Sequence, residues 1–128
     1  MTELLGKIYR PGEIIVHQGE TGDCMYVIQD GEVDVLKEQN GVQTVVDTMH
    51  TGDIFGEMAI IDRTVRSSTV RASTAVRILT IDKKTFIRRV QEDPSLALSV
   101  LKAMSQRVRN LDLEVAALKQ ALSRYDAE

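Results

Sequence analysis

Two hydrophobic periods divide the chain near Asp82. Before it, short segments rich in Val, Ile and Thr alternate apolar with polar positions; after it, apolar residues recur every three or four positions. The first pattern predicts strands at Lys7–Arg10, Glu13–His17, Met25–Gln29, Glu32–Lys37, Gln43–Met49, Ser68–Ala72 and Val76–Ile81. Pro11-Gly12 reads as a turn, and Gly19–Asp23 and Thr51-Gly52-Asp53 as loops. Asp30-Gly31 and Asn40-Gly41 carry the two-residue hairpin signature. Val42–Met49 contains no Gly or Pro and is expected to be a central strand. Many short, evenly spaced strands predict a β sandwich or barrel.

The second pattern predicts helices. Lys83–Glu92 reads as a short helix with Phe86, Ile87 and Val90 on one face. Asp93-Pro94 is a helix start, Asp as N-cap and Pro at the first helical position, and nothing breaks the helix before Tyr125. At 1.5 Å per residue it would run ~48 Å, far beyond the ~14 Å radius of gyration of a domain this size. Within it Leu101, Met104, Val108, Leu111, Val115, Leu118, Leu122 and Tyr125 form an a/d heptad seam. In a parallel pair Arg107 would face Asp112 of the partner helix, and Glu114 would face Lys119, both attractive. The alternative is an amphipathic helix lying on its own β domain, which suits the first turns at Leu96, Val100 and Leu101. An exposed apolar seam from Leu111 onward favours a homodimer. The expected division is a β domain with its hinge helix over 1–93 and a coiled-coil dimerisation helix over 94–128.

The 128 residues, 43% hydrophobic and 27% charged, fit one ordinary globular domain and argue against disorder. The longest apolar run, Cys24–Ile28, is far short of the ~20 residues a membrane helix needs, and Met1–Arg10 has no secretory core. One cysteine excludes an internal disulfide framework and Cys-rich metal sites. The expected setting is cytoplasmic, with no membrane partner. Charge is uneven: 7 basic and 13 acidic residues up to Asp82, 9 basic and 6 acidic beyond. An anion bound to the acidic part must be held by local chemistry, because the overall field opposes it.

Local chemistry of that kind lies in Phe55-Gly56-Glu57-Met58-Ala59-Ile60-Ile61, then Asp62-Arg63-Thr64-Val65, then Arg66-Ser67-Ser68-Thr69-Val70. A glycine opens a very short helical turn whose backbone N–H groups form a concave anion site. Arg66 offers a planar, two-pronged donor to a phosphate. Glu57 supplies a carboxylate suited to a sugar hydroxyl. Together they fit a phosphorylated sugar better than free phosphate. The same residues fit equally a structural Glu57–Arg66 ion pair that closes the loop.

Two long motifs in order resemble the cyclic-nucleotide-binding domain family of kinase regulatory subunits, nucleotide-gated channels and bacterial catabolite-activator-type regulators. The first is Ile15-Val16-His17-Gln18-Gly19-Glu20-Thr21-Gly22-Asp23-Cys24-Met25-Tyr26-Val27-Ile28 followed by Gly31; the second is Phe55-Gly56-Glu57-Met58-Ala59-Ile60 with Arg66-Ser67 behind it. The resemblance spans about Lys7 to Asn110. It implies a mostly β fold, a jelly-roll-like β-roll with an inserted phosphate-binding cassette helix, closed by a short and a long helix. It also implies cAMP or cGMP as ligand and no other cofactor. Arg66 would hold the cyclic phosphate, helped by backbone N–H groups near Met58, Ala59 and Ser67. Glu57 would accept from the ribose 2′-OH, and Gly56 would let the sugar approach. A Ser67 hydroxyl could reach the phosphate or the amino group of a syn guanine, which leaves cAMP and cGMP both open.

Some positions depart from the family pattern. Ser68 stands where Ala is usual, and the common amino-terminal helix is short or absent. On the long helix, Leu111 and Asp112 align where the bacterial regulators present hydroxyls to the base, with Arg107 one turn earlier. These three are the expected base contacts, of which Leu111 cannot donate. The chain stops where those regulators continue into a helix-turn-helix, so direct DNA binding is not expected. His17 and His50 lie far apart with no third ligand, Cys24 reads as a core thiol, Met58 and Met104 as packing residues, and Arg88-Arg89 as a solvated face. No catalytic or metal set stands out, and no enzyme is expected. The reading is a dimeric cyclic-nucleotide sensor whose helices repack on binding; the alternative is a degenerate family member acting as a dimerisation scaffold.

Overall fold

The computed structural model describes residues 6–61 and 64–126. Met1–Leu5, within the amino-terminal segment read above, and Asp62-Arg63 of the cassette loop lie outside the described residues. The elements are β1 Lys7–Tyr9, β2 Ile14–Val16, β3 Thr21–Gly22, β4 Cys24–Asp30, β5 Glu32–Gln39, β6 Val42–His50, β7 Ile54–Phe55, α1 Met58–Ile61, β8 Thr64–Val65, β9 Thr69–Ala72, β10 Val76–Asp82, α2 Lys83–Glu92 and α3 Ser95–Asp126. One antiparallel sheet has the order β1-β10-β4-β7, the second β2-β9-β5-β6, and β3 pairs with β8 in a small ribbon. This is the mostly β roll with carboxy-terminal helices that the motifs implied.

Apolar positions on both faces of β4 explain the architecture. Ile28 points into the core between the sheets, with Val16, Val33, Phe55, Val70, Ala72, Val76 and Ile78. Met25, of opposite parity, joins Ile54, Ile60, Ile81 and Val100 in a second cluster on the helical side. The run Cys24–Ile28 is apolar without alternation because this strand is covered on both faces.

Of three strand readings, one holds and two need correction. Asn40 and Gly41 both have positive φ, at 55° and 78°, and join β5 to β6 in a true hairpin. Asp30-Gly31 is not a hairpin: only Gly31 has positive φ, and β4 and β5 lie in different sheets. A two-residue type I′ loop needs two such residues, so this turn is a corner that carries the chain from one sheet to the other. β6, expected to be central, is an edge strand paired with β5 alone. Its Val42, Val45 and Val46 are exposed. Freedom from Gly and Pro permits a central position but does not require one.

The helices begin on aspartate caps. Asp82 accepts from the Thr85 N–H at 2.7 Å. Asp93 accepts from the Ser95 hydroxyl at 2.6 Å and its N–H at 3.1 Å. The Thr85 N–H holds the Asp82 carboxyl below its usual range, and the Ser95 hydroxyl does the same for Asp93. A depressed folded-state value contributes stability that is complete above the unfolded value, near pH ~4, and is lost as pH falls through the folded value. Asp82→Ala should therefore lower the melting temperature at pH 7 and lower it less at pH 3. Equal losses at both pH values would mean that the charge contributes nothing.

On α2, Phe86 packs against the second cluster, whereas Ile87, expected on the same face, is exposed. On α3, Val100 is buried and Met104 packs with it against the roll, so the first turns lie on the chain's own β domain. Met104 thereby leaves the apolar stripe assigned to a partner helix. Leu101, Val108, Leu111, Val115, Leu118, Leu122 and Tyr125 remain exposed.

Candidate functional site

The site forms where the β3–β8 ribbon meets the cassette. Thr21 pairs with Val65 and Gly22 with Thr64, which places the next residue, Arg66, against the first motif. Its backbone is clamped there: the Arg66 N–H donates to the Glu20 carbonyl at 2.7 Å, and its carbonyl accepts from the Gly19 N–H at 2.9 Å. The side chain folds back across β4. Its Nη2 donates to the Cys24 carbonyl at 2.9 Å, and the guanidinium lies 5.4 Å from the Tyr26 ring centroid. Tyr26 in turn stacks on Phe55 at 4.9 Å, so the platform beneath the guanidinium is part of the core. Burial raises the Tyr26 phenol above its ordinary value although the Arg66 charge opposes this.

The cassette follows β7. Gly56 has φ +78°, where a side chain would be strained, and opens α1. The turn closes through Ala59 N–H to Gly56 carbonyl and Ile60 N–H to Glu57 carbonyl, both at 3.1 Å. Ala59 and Ile60 are buried and anchor the turn, while Met58 is 48% exposed and does not pack as expected. Glu57 is 0% exposed. Its charge faces Arg107 of α3, Nη1 to Oε1 at 2.5 Å. The contact is ionic rather than directional, since neither carboxylate oxygen accepts a hydrogen bond of good geometry among the described residues. A buried acceptor of this kind is costly unless a donor reaches it.

The Glu57–Arg66 pair that would have closed the loop is not formed; each takes a different partner. Arg107, read as a base contact, links α3 to the cassette through Glu57. Leu111 and Asp112 lie a turn further along α3 and are exposed. Ser67 is exposed and Ser68, just before β9, is half-buried. Cys24 is half-buried rather than a core thiol, and burial followed by the neighbouring Asp23 raises its thiol above the usual value.

A cleft of about 330 Å³ opens beside Arg66, walled by β2 and by the first motif from Glu20 to Cys24, with Tyr26 at its side. Glu57 is not in its wall. Arg66 thus borders open space, while the Glu57 carboxylate is sealed under α3. Sequence reasoning missed Gly22 and Tyr26, whose only signal was their place in the first motif. Among the described residues, no group of three or more His, Cys, Asp or Glu side chains is placed to hold a metal ion, and no helix is long and apolar enough to cross a membrane.

A β-roll with a short inserted helix, an arginine just beyond the following strand and a buried glutamate at the helix start defines a nucleotide-binding regulatory module. The chain belongs to the cyclic nucleotide-binding domain family, whose family model matches residues 7–93. It is 46% identical over 81 residues to a cAMP-dependent protein kinase regulatory subunit of Schizosaccharomyces pombe, covering 63% of this chain and 19% of that protein. The chain thus spans about a fifth of that relative's length. The catabolite activator protein of Thermus thermophilus shares the fold, with a TM-score of 0.79 at 24% identity over 88% of this chain and 54% of that one. A structure of cAMP-bound PfPKA-R is similar with a TM-score of 0.59 at 31% identity, over 64% of this chain and 29% of that one.

Proposed function

We propose that this chain is a sensor for a purine cyclic nucleotide, cAMP or cGMP, and that α3 carries the signal. The observation that supports it most directly is Glu57: a carboxylate wholly out of solvent that faces the Arg107 guanidinium but accepts no well-formed hydrogen bond among the described residues. A ribose 2′-OH is the donor that suits it. Arg66 would pair with the exocyclic phosphate oxygens, with backbone N–H groups near Met58, Ala59 and Ser67 completing the cradle. Gly56 would admit the sugar, and Ser68 would border the strand end. Arg107, Leu111 and Asp112 would flank the base.

The Glu57–Arg107 contact gives the coupling a physical route. A ligand that engages Glu57 acts on the α3 residue facing it, and can shift α3 only by its differential affinity for the two arrangements. In this reading residues 94–128 serve as a dimerisation helix. The exposed stripe Val108, Leu111, Val115, Leu118 and Leu122 supports a second copy of α3 as the cover. Sedimentation at micromolar concentration should give a dimer, and Leu118→Glu should give a monomer; a monomeric parent chain would end the coiled-coil reading.

The test is calorimetric titration of cAMP and cGMP into protein unfolded and refolded to strip carried-over nucleotide. The expected result is micromolar or tighter binding of at least one, about 8 kcal/mol or more. No binding of either by a folded protein would overturn the sensor reading.

A further inference from the structure

Gly22 lies at the position where the two motifs touch. A Cβ built on it would overlap the Arg66 guanidinium, meeting Nε, Nη2 and Cζ at once. A Cβ on Gly56 would come 2.7 Å from Arg66 Nη1. The guanidinium therefore lies in a slot that two glycines border, its Nη2 on the Cys24 carbonyl and Tyr26 alongside. Gly56 needs its positive φ in any case, but Gly22 does not have one. Backbone conformation gives no reason for a glycine at position 22. The close approach of Arg66 does.

We propose that Gly22 is a positioning residue for anion recognition. Its missing side chain makes the slot that holds the Arg66 fork in one plane against the cleft. The inference rests on the assignment of the ligand phosphate to Arg66. An arginine held in place before binding loses less side-chain freedom when it meets a phosphate. Gly22 reaches no ligand atom in this account and acts only through Arg66. A methyl group at position 22 would drive the fork out while the two-residue ribbon, extended at this position, keeps its pairing.

The test is a mutant cycle read by nucleotide titration of the full chain, with Gly22→Ala, Arg66→Lys and the double variant. Gly22→Ala is expected to weaken cyclic-nucleotide binding about tenfold, the scale of one lost charged hydrogen bond. In the Arg66→Lys background the same change should cost less than about threefold, because the fork it displaces is gone. Equal losses in both backgrounds, or no loss in the parent, would overturn the proposal. A merely structural glycine would lower the melting temperature and weaken binding equally in both backgrounds. If the parent chain binds no nucleotide, the sensor reading fails and this inference falls with it. If the parent binds and Arg66→Lys binds as tightly, the phosphate assignment fails. If Arg66→Lys weakens binding but the cycle is additive, Gly22 alone is misassigned.

Discussion

Arg66→Ala should weaken cyclic-nucleotide binding by about 2–5 kcal/mol, roughly thirtyfold to several-thousandfold. The size follows from the site's charge balance. Up to Asp82 the chain carries 13 acidic and 7 basic residues, so no general field draws an anion to the roll. Acidic Glu20 and Asp23 even border the cleft. A phosphate there depends on one fork and a few backbone N–H groups, and truncating the fork removes the only arginine in the cleft wall among the described residues. The fold should survive, since Arg66 is held by backbone bonds to Gly19 and Glu20 that alanine keeps. Titration of the refolded variant beside the parent measures the loss. A change smaller than about threefold would remove Arg66 from the phosphate site.

The second large effect concerns stability. Met25→Ala should cost about 2–5 kcal/mol, the range for large-to-small changes in a packed core. Met25 is fully buried and unites Ile54 of β7, Ile60 of α1, Ile81 of β10 and Val100 of α3. Cassette and long helix share this one core with it. Its loss leaves a cavity walled by elements of both sheet and helices. Denaturant unfolding should show a lower midpoint with an unchanged slope. A loss below about 1 kcal/mol would mean that the helices close over the gap.

The site was partly legible because its chemistry is local in sequence. Gly56, Glu57 and Arg66 fall within eleven residues, and their types alone indicate an anion beside an acceptor. What the spacing left open was how the two charges are arranged. A Glu57–Arg66 ion pair and a divided site use the same letters. The outcome was decided by Arg107, fifty positions from Glu57, and by Gly22, forty-four from Arg66, neither of which a local pattern can place.

Strand order has the same origin. Asp30-Gly31 and Asn40-Gly41 look alike as dipeptides, yet one turns a corner between sheets and the other closes a hairpin. The difference is the backbone of the first residue in each pair, which follows from where the next strand finds its partner. β6 ends the order β2-β9-β5-β6, so β5 is internal and β6 pairs on one side alone.

By itself the sequence determined the strand-rich half, the two helices and the aspartate start of the second, the cassette and the apolar stripe of α3. Each depends on period, capping or turn chemistry acting over a few residues. Only the tertiary structure decided that Met104 belongs to the roll, that Arg107 covers Glu57, and that two glycines border Arg66. Those outcomes depend on which surfaces meet when β4 is covered on both faces, and contacts between distant segments leave no periodic mark along the chain.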